Sequence, residues 1–216
     1  CGNDAQTGHP QHSEYQEAAP KRAAFILDSG LPVSGDSDGS CQVLAVRYPE
    51  SVLSLTSMSS ATGNPRTGLG KFSAIWATIR PQSRLASESE GVKRLDRFIR
   101  AMGSVSYEEL MPRSGGLFGL WPGTLGTGWI QTALLALLQS GDRRTQVSGI
   151  RVPTLVLHGL SDKLLPPRAG KETADLISGA RLEMIPRLGH DLPPALGAKY
   201  GHLMLENFSR ASSVKH

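Results

Sequence analysis

Three residue types in one order carry the chemical content of this chain. Ser37 lies in Gly35-Asp36-Ser37-Asp38-Gly39, a G-x-S-x-G element. Asp162 follows the apolar run Val152-Pro153-Thr154-Leu155-Val156-Leu157-His158-Gly159, and His190 stands in Gly189-His190-Asp191 after a second apolar run. A serine hydroxyl is a poor nucleophile until a base takes its proton, and an imidazole is a good base when a carboxylate fixes its tautomer and stabilises the imidazolium that forms. The set therefore points to acyl transfer through an activated serine. Each member also has a plainer reading. Ser37 could be an ordinary Gly-rich turn, Asp162 a helix or turn cap, and His190 a surface histidine before Pro193-Pro194. Their joint order and spacing favour the chemical reading over the three separate ones.

These residues need a parallel sheet to bring them together. An apolar strand ending in Gly and an acid, then a helix-length segment, a further strand and Gly-His, puts a carboxylate and an imidazole at one carboxyl edge. The spacing predicts a strand over Pro153 to His158, a helix from about Gly170 to Ile177, a strand near Arg181 to Ile185, and a closing helix marked by Leu196, Tyr200, Leu203 and Phe208. Upstream, Ala23 to Leu27 reads as a short helix ended by Ser29-Gly30, leaving Leu31 to Ser34 as the strand into the Gly35 turn. Val43 to Tyr48 reads as a helix stopped by Pro49, and Val52 to Met58 as a strand.

Between these parts the pattern changes to helices punctuated by Gly and Pro. Val92, Leu95, Phe98, Ile99 and Met102 make one apolar stripe, and Ile130, Ala133, Leu134, Leu137 and Leu138 a second. The division expected is 1–62 as the first part of a core with the nucleophile turn, 63–149 as a helical cap, and 150–216 as the rest of the core.

Composition narrows the classes. With 216 residues, 39% hydrophobic and 19% charged, the chain suits one core with a cap. A net charge of +4 without basic runs gives no case for a nucleic-acid partner. No apolar run approaches the roughly 18 residues of a membrane span, and a cytoplasmic location is the default expectation. Cys1 and Cys41 form no zinc or disulfide pattern, so no metal is expected. A first residue of Cys fits a processed lipoprotein or a chain recorded in part, and the second is expected here.

Gly35 to Pro65, with Arg47-Tyr48-Pro49-Glu50-Ser51-Val52 and Ser59-Ser60-Ala61-Thr62-Gly63-Asn64-Pro65, resembles the nucleophile elbow, helix and following strand of bacterial α/β-hydrolases close to aclacinomycin methylesterase and the proline iminopeptidase-like esterases. Residues 92–105 and 127–195, including Ser140-Gly141-Asp142-Arg143-Arg144 and Gly189-His190-Asp191-Leu192-Pro193-Pro194, are similar to that family's cap and carboxyl-terminal core. The resemblance implies a partial α/β-hydrolase fold, α/β in class, with a mostly parallel sheet and a helical cap insertion. It also implies a cofactor-free hydrolase of esters or related acyl compounds with a Ser37, Asp162 and His190 triad and a small-molecule substrate. The Asp38 amide would donate to the oxyanion.

The chain departs from that pattern in three ways. Nothing before Ser37 matches the long amino-terminal part that carries a His-Gly-type oxyanion loop, so the chain is expected to be truncated on that side. The strand into the elbow is short. Asp38 stands where relatives carry Met or another neutral residue, and with Asp36 it raises negative potential where an oxyanion must form. A truncated, catalytically impaired homologue with a binding role or none is therefore the alternative. Aminopeptidase and perhydrolase activities stay open, and the oligomeric state is not readable.

Overall fold

The computed structural model describes residues 27–28, 41–79, 89–90, 93, 97, 100–102, 141–190 and 196–213. Among them four strands form one wholly parallel sheet in the order β1-β2-β3-β4: β1 is Leu27–Asp28, β2 Leu55–Met58, β3 Thr154–Gly159 and β4 Arg181–Ile185. The register pairs Leu27 with Thr56, Thr56 with Leu155, and Leu155 with Arg181. Every neighbouring pair is parallel, so every carboxyl end opens on the same edge. Among the described residues the continuous helices are α1 (Cys41–Arg47), α2 (Pro65–Gly68), α3 (Phe72–Ile79), α4 (Arg144–Val147), α5 (Pro167–Leu176) and α6 (Gly197–Ser213), and residues 100–102 are also helical. None of the described helices is long and apolar enough to cross a membrane.

β2 and β3 are buried along their whole lengths, as strands covered on both faces must be. On one face Met58, Leu155, Leu157 and Ile185 pack with Tyr200, Leu203 and Met204 of α6. On the other, Leu55 meets Cys41 and Ala45 of α1, Val147 of α4, and Ile150 and Ile177. Each fully buried leucine of this kind contributes about 1.5–3 kcal/mol. α1 ends at Arg47, two residues before Pro49, which has no amide to continue it. α2 begins with Pro65 at its first position, where Asn64 caps it by accepting from the Arg66 amide at 3.0 Å.

One expectation is corrected. Leu27, read as the end of a short helix, lies in β1 and pairs in parallel with β2. A run of five apolar residues has no period that separates a buried strand from a helix, and a free place beside β2 decided for the strand. The strand expected at Leu31 to Ser34 and the apolar stripe at 130–138 lie outside the described residues. Residues 144–147, inside the expected cap, pack on the core through Val147, next to Ile150 of the expected core.

The chain before α2 and the chain before α4 meet at a narrow neck. Gly63 (φ +81) and Gly141 (φ +67) abut so closely that a Cβ on Gly63 would lie 1.7 Å from the Gly141 carbonyl oxygen. Beside them, buried Arg143 donates from its amide to Thr62 O at 2.7 Å and from its guanidinium to Ala61 O at 2.9 Å. Glu172 of α5 closes this neck by accepting from Thr62 Oγ1 (2.6 Å), Asn64 Nδ2 (2.6 Å) and Thr67 Oγ1 (2.7 Å). Burial opposes ionisation of this carboxyl, but the three donated bonds outweigh it and hold Glu172 below the usual glutamate range.

Glu172→Ala leaves three donors without their acceptor, two of them on the buried residues Thr62 and Asn64. A loss of about 1–3 kcal/mol is expected in urea unfolding at neutral pH. Because the folded carboxyl titrates below its unfolded value, the Glu172 contribution is present above about pH 4.3 and lost as pH falls through the lower folded value. The destabilisation by Glu172→Ala should therefore shrink in acid, and a loss independent of pH would show that the carboxylate charge is not what these donors need.

Candidate active site

Asp162 and His190 meet at the carboxyl edge of the sheet. β3 ends at Gly159, and the chain turns at once: the Leu160 amide donates to Ile185 O at 3.0 Å and the Ser161 amide to Leu188 O at 2.9 Å. Gly159 permits this approach, since a Cβ there would lie 2.3 Å from the Leu188 carbonyl oxygen. The β3 turn is thus sewn to the loop after β4, and Asp162 and His190 ride on the two sewn loops.

The Asp162 side chain is wholly buried, and each oxygen has a separate task. Oδ1 accepts from the amides of Leu164 and Leu165, both at 2.9 Å. Oδ2 accepts from Nδ1 of His190 at 2.8 Å. Asp162 is therefore both the turn cap and the partner of His190, the two readings that its sequence context left open. His190 keeps 19% of its side chain exposed. With Nδ1–H given to the carboxylate, Nε2 is the ring nitrogen left with a lone pair, the state a general base requires.

Residues of the insertion touch both loops. The carbonyl of Met102, which is fully buried, accepts from the amides of Lys163 and His190, each at 3.2 Å. Its side chain packs with Ala74 of α3 and Leu164, and the Lys71 amide donates to Lys163 O at 2.7 Å. So the inserted segment is fastened to the backbone on either side of the Asp162–His190 pair.

Ser37 and Asp38 lie outside the described residues. β1, which precedes them, runs parallel to its neighbours and delivers the chain to the same edge. α1, which follows them, starts with Cys41 and Gln42 buried. Gln42 Nε2 donates to Ser60 Oγ at 3.0 Å and Ser57 Oγ at 3.3 Å, and the two hydroxyls are 2.5 Å apart. This polar network, across the first turn of α1 and the end of β2, was not foreseen from the sequence. Ser57 within β2 and Ser60 two residues past its end were its one signal.

His158 was also missed as more than part of an apolar run. It is fully buried one residue before the end of β3, with Nε2 2.8 Å from Leu165 O and 3.7 Å from Asp162 Oδ2. Burial pushes its imidazole below the usual histidine value, opposed in part by the Leu165 bond and by the Asp162 charge. Its signal was a polar ring where the strand is otherwise aliphatic.

No family model matches the chain. Several solved structures share its fold. One, from Mycobacterium tuberculosis and named provisionally as the non-heme bromoperoxidase BpoC, has TM-score 0.57 at 21% identity over 79% of this chain and 62% of that one. An α/β fold family hydrolase from Bacillus anthracis gives TM-score 0.55 at 17% identity over 78% of this chain and 64% of that one. The enol-lactonase of Burkholderia xenovorans gives TM-score 0.52 at 18% identity, covering 78% and 60% respectively. The chain spans about three-fifths of the length of these structures. At these identities the likeness establishes the fold, a partial α/β-hydrolase fold built on a parallel sheet.

The buried imidazole gives this edge a pH signature. As pH falls below about 6.5, the unfolded chain takes up a proton at His158 that the folded chain refuses, so stability falls with pH. Urea unfolding at about pH 7 and pH 5 should show His158→Gln losing less stability than the unmodified chain over this interval. The difference is bounded by about 1.4 kcal/mol per pH unit for a single proton. Equal losses in the two proteins would mean that His158 takes up its proton when folded.

Proposed function

We propose that this chain is a serine hydrolase of carboxylic esters or related small acyl compounds, with Ser37 as nucleophile, His190 as base and Asp162 as the carboxylate that orients it. The observation that carries the reading is the Asp162–His190 bond. It is a 2.8 Å contact from a buried carboxylate whose other oxygen is already engaged, at the edge where an α/β-hydrolase fold does its chemistry. Chain order supports it, since Ser37, Asp162 and His190 follow the order of that fold. A lactone is an ester, so the named chemistry of one similar structure belongs to the same class. The nearer resemblance to aclacinomycin methylesterase and the proline iminopeptidase-like esterases rests on sequence motifs at residues 35–65, 92–105 and 127–195.

In this mechanism Ser37 Oγ attacks the acyl carbonyl carbon as His190 Nε2 takes the hydroxyl proton. Asp162 balances the charge on the imidazolium without becoming protonated. The amide of Asp38 donates to the oxyanion. The imidazolium then returns the proton to the departing alkoxide, leaving an acyl-serine and an alcohol. Water, deprotonated by the same nitrogen, attacks the acyl carbon and releases the carboxylic acid and the free serine. Binding of substrate beneath the insertion is part of the proposal, with 63–149 as the cap, and the Met102 contacts to Lys163 and His190 support it.

Hydrolysis of p-nitrophenyl butyrate and labelling by a fluorophosphonate probe, read by intact mass, test the assignment. Ser37→Ala should abolish both. Asp162→Asn should keep the fold but present an amide N–H to His190 Nδ1–H, enforcing the wrong tautomer and lowering turnover by about 10⁴-fold. Label on another residue, hydrolysis that survives Ser37→Ala, or a folded chain that neither turns over nor labels would each remove the reading.

A further inference from the structure

The described histidines differ sharply in setting: His202 is exposed, His190 half-buried, and His158 has no exposed surface at all. Along β3, Leu155 and Leu157 point to the α6 face, and His158 points the other way, onto the first turns of α5. There the ring lies against Gly170, where a Cβ would come within 2.5 Å of Nδ1 and 2.6 Å of Cγ. No larger residue fits at position 170 while the ring keeps its place. A strand position this enclosed would ordinarily take an aliphatic side chain, since burying an imidazole costs solvation that a leucine does not lose.

The hydrogen bonds show what the imidazole supplies. Its Nε2 is 2.8 Å from the carbonyl oxygen of Leu165, which can only accept, so Nε2 carries the proton. Nδ1 is buried and has no hydrogen-bond partner among the described residues. A second proton on Nδ1 would be an enclosed donor facing the backbone of Gly170, so one tautomer is selected. Leu165 is in turn held from both sides. Its carbonyl accepts from His158, and its amide donates to Asp162 Oδ1 at 2.9 Å, beside the amide of Leu164. With Oδ1 pinned by the two amides, the carboxylate cannot rotate, and Oδ2 faces His190 Nδ1 at 2.8 Å. At 3.7 Å from Oδ2, the Nε2–H edge also lends its dipole to the ionised carboxylate.

We propose that His158 is a positioning residue, clamping the Leu165 carbonyl as the Nε2–H tautomer and so holding the 162–165 turn in the shape that aims Asp162 at His190. The inference rests on the reading of Asp162 and His190 as the orienting carboxylate and base. The clamp gives that pair rigidity that a turn capped by Asp162 alone would lack, in the way that outer hydrogen bonds fix the ligands of a working site. The absence of charge on the ring matters equally. A protonated His158 would share the Asp162 carboxylate with His190 and weaken the field that the base receives.

Proton NMR with two-bond nitrogen correlation on the full labelled chain tests this without any need for turnover. In the unmodified protein, His158 should show the Nε2–H tautomer and keep it to a pH below that at which an ordinary histidine titrates. The His190 Nδ1 proton, bound to a buried carboxylate, should resonate far downfield. His158→Gln keeps a donor within reach of Leu165 O and should retain that resonance. His158→Met fills the space without a donor and should lose it while circular dichroism and cooperative melting persist. Retention of the downfield proton in a folded His158→Met protein overturns the proposal, as does an Nδ1–H tautomer at His158 or its titration alongside exposed His202. If the Met variant does not fold, the tautomer and titration of the unmodified chain decide alone. Failure of ester hydrolysis with these signals intact would count against the proposed function and leave the clamp standing.

Discussion

A buried carboxylate must be satisfied at both oxygens, and the Asp162 side chain, with none of its surface exposed, organises the carboxyl edge of this protein around that requirement. Left unpaired, such a charge would cost several kcal/mol and would protonate instead. Two backbone amides engage one oxygen and an imidazole the other. The amides come from the residues just beyond Asp162, so satisfying the charge also folds the turn. The imidazole comes from the next βα loop, so satisfying it also joins two loops.

That junction is possible because of the parallel sheet. β3 and β4 run the same way in a register that sets Gly159 beside Ile185. The segments leaving them start together, and they are stitched by amides before either Asp162 or His190 is reached. The missing side chain at Gly159 lets the Leu188 carbonyl close in. Burial of β3 on both faces gives the Asp162–His190 contact a packed support.

The insertion is bound to the same edge at two places. Its neck is closed by the Gly63–Gly141 contact and by the hydrogen bonds around Arg143 and Glu172. Farther along, the Met102 carbonyl bridges the amides of Lys163 and His190. A shift of the helical residues 100–102 would therefore be felt at the backbone of His190 itself. The position of residues 100–102 and that of His190 are coupled here through hydrogen bonds.

The sequence by itself determined the elements with clear periods and stops: the helix before Pro49, the apolar strand up to Gly159, the strand at Arg181 to Ile185 and the closing amphipathic helix. It also singled out Asp162 and His190, because an acid just past a strand and a Gly-His just past the next have one common edge in a parallel sheet. Tertiary structure decided what local pattern leaves degenerate. Leu27 became a strand residue because β2 offered a pairing edge, and periodicity over five apolar residues could not foresee that. Asp162 proved to be cap and partner at once, since its two oxygens face in different directions. His158 looked like part of an apolar run, and its meaning comes from Leu165, Asp162 and Gly170, all of which lie outside the strand and are brought to the ring only by folding. Hydrophobic patterning records which side chains leave water, and the partner that a buried polar group finds there is a property of the packed chain.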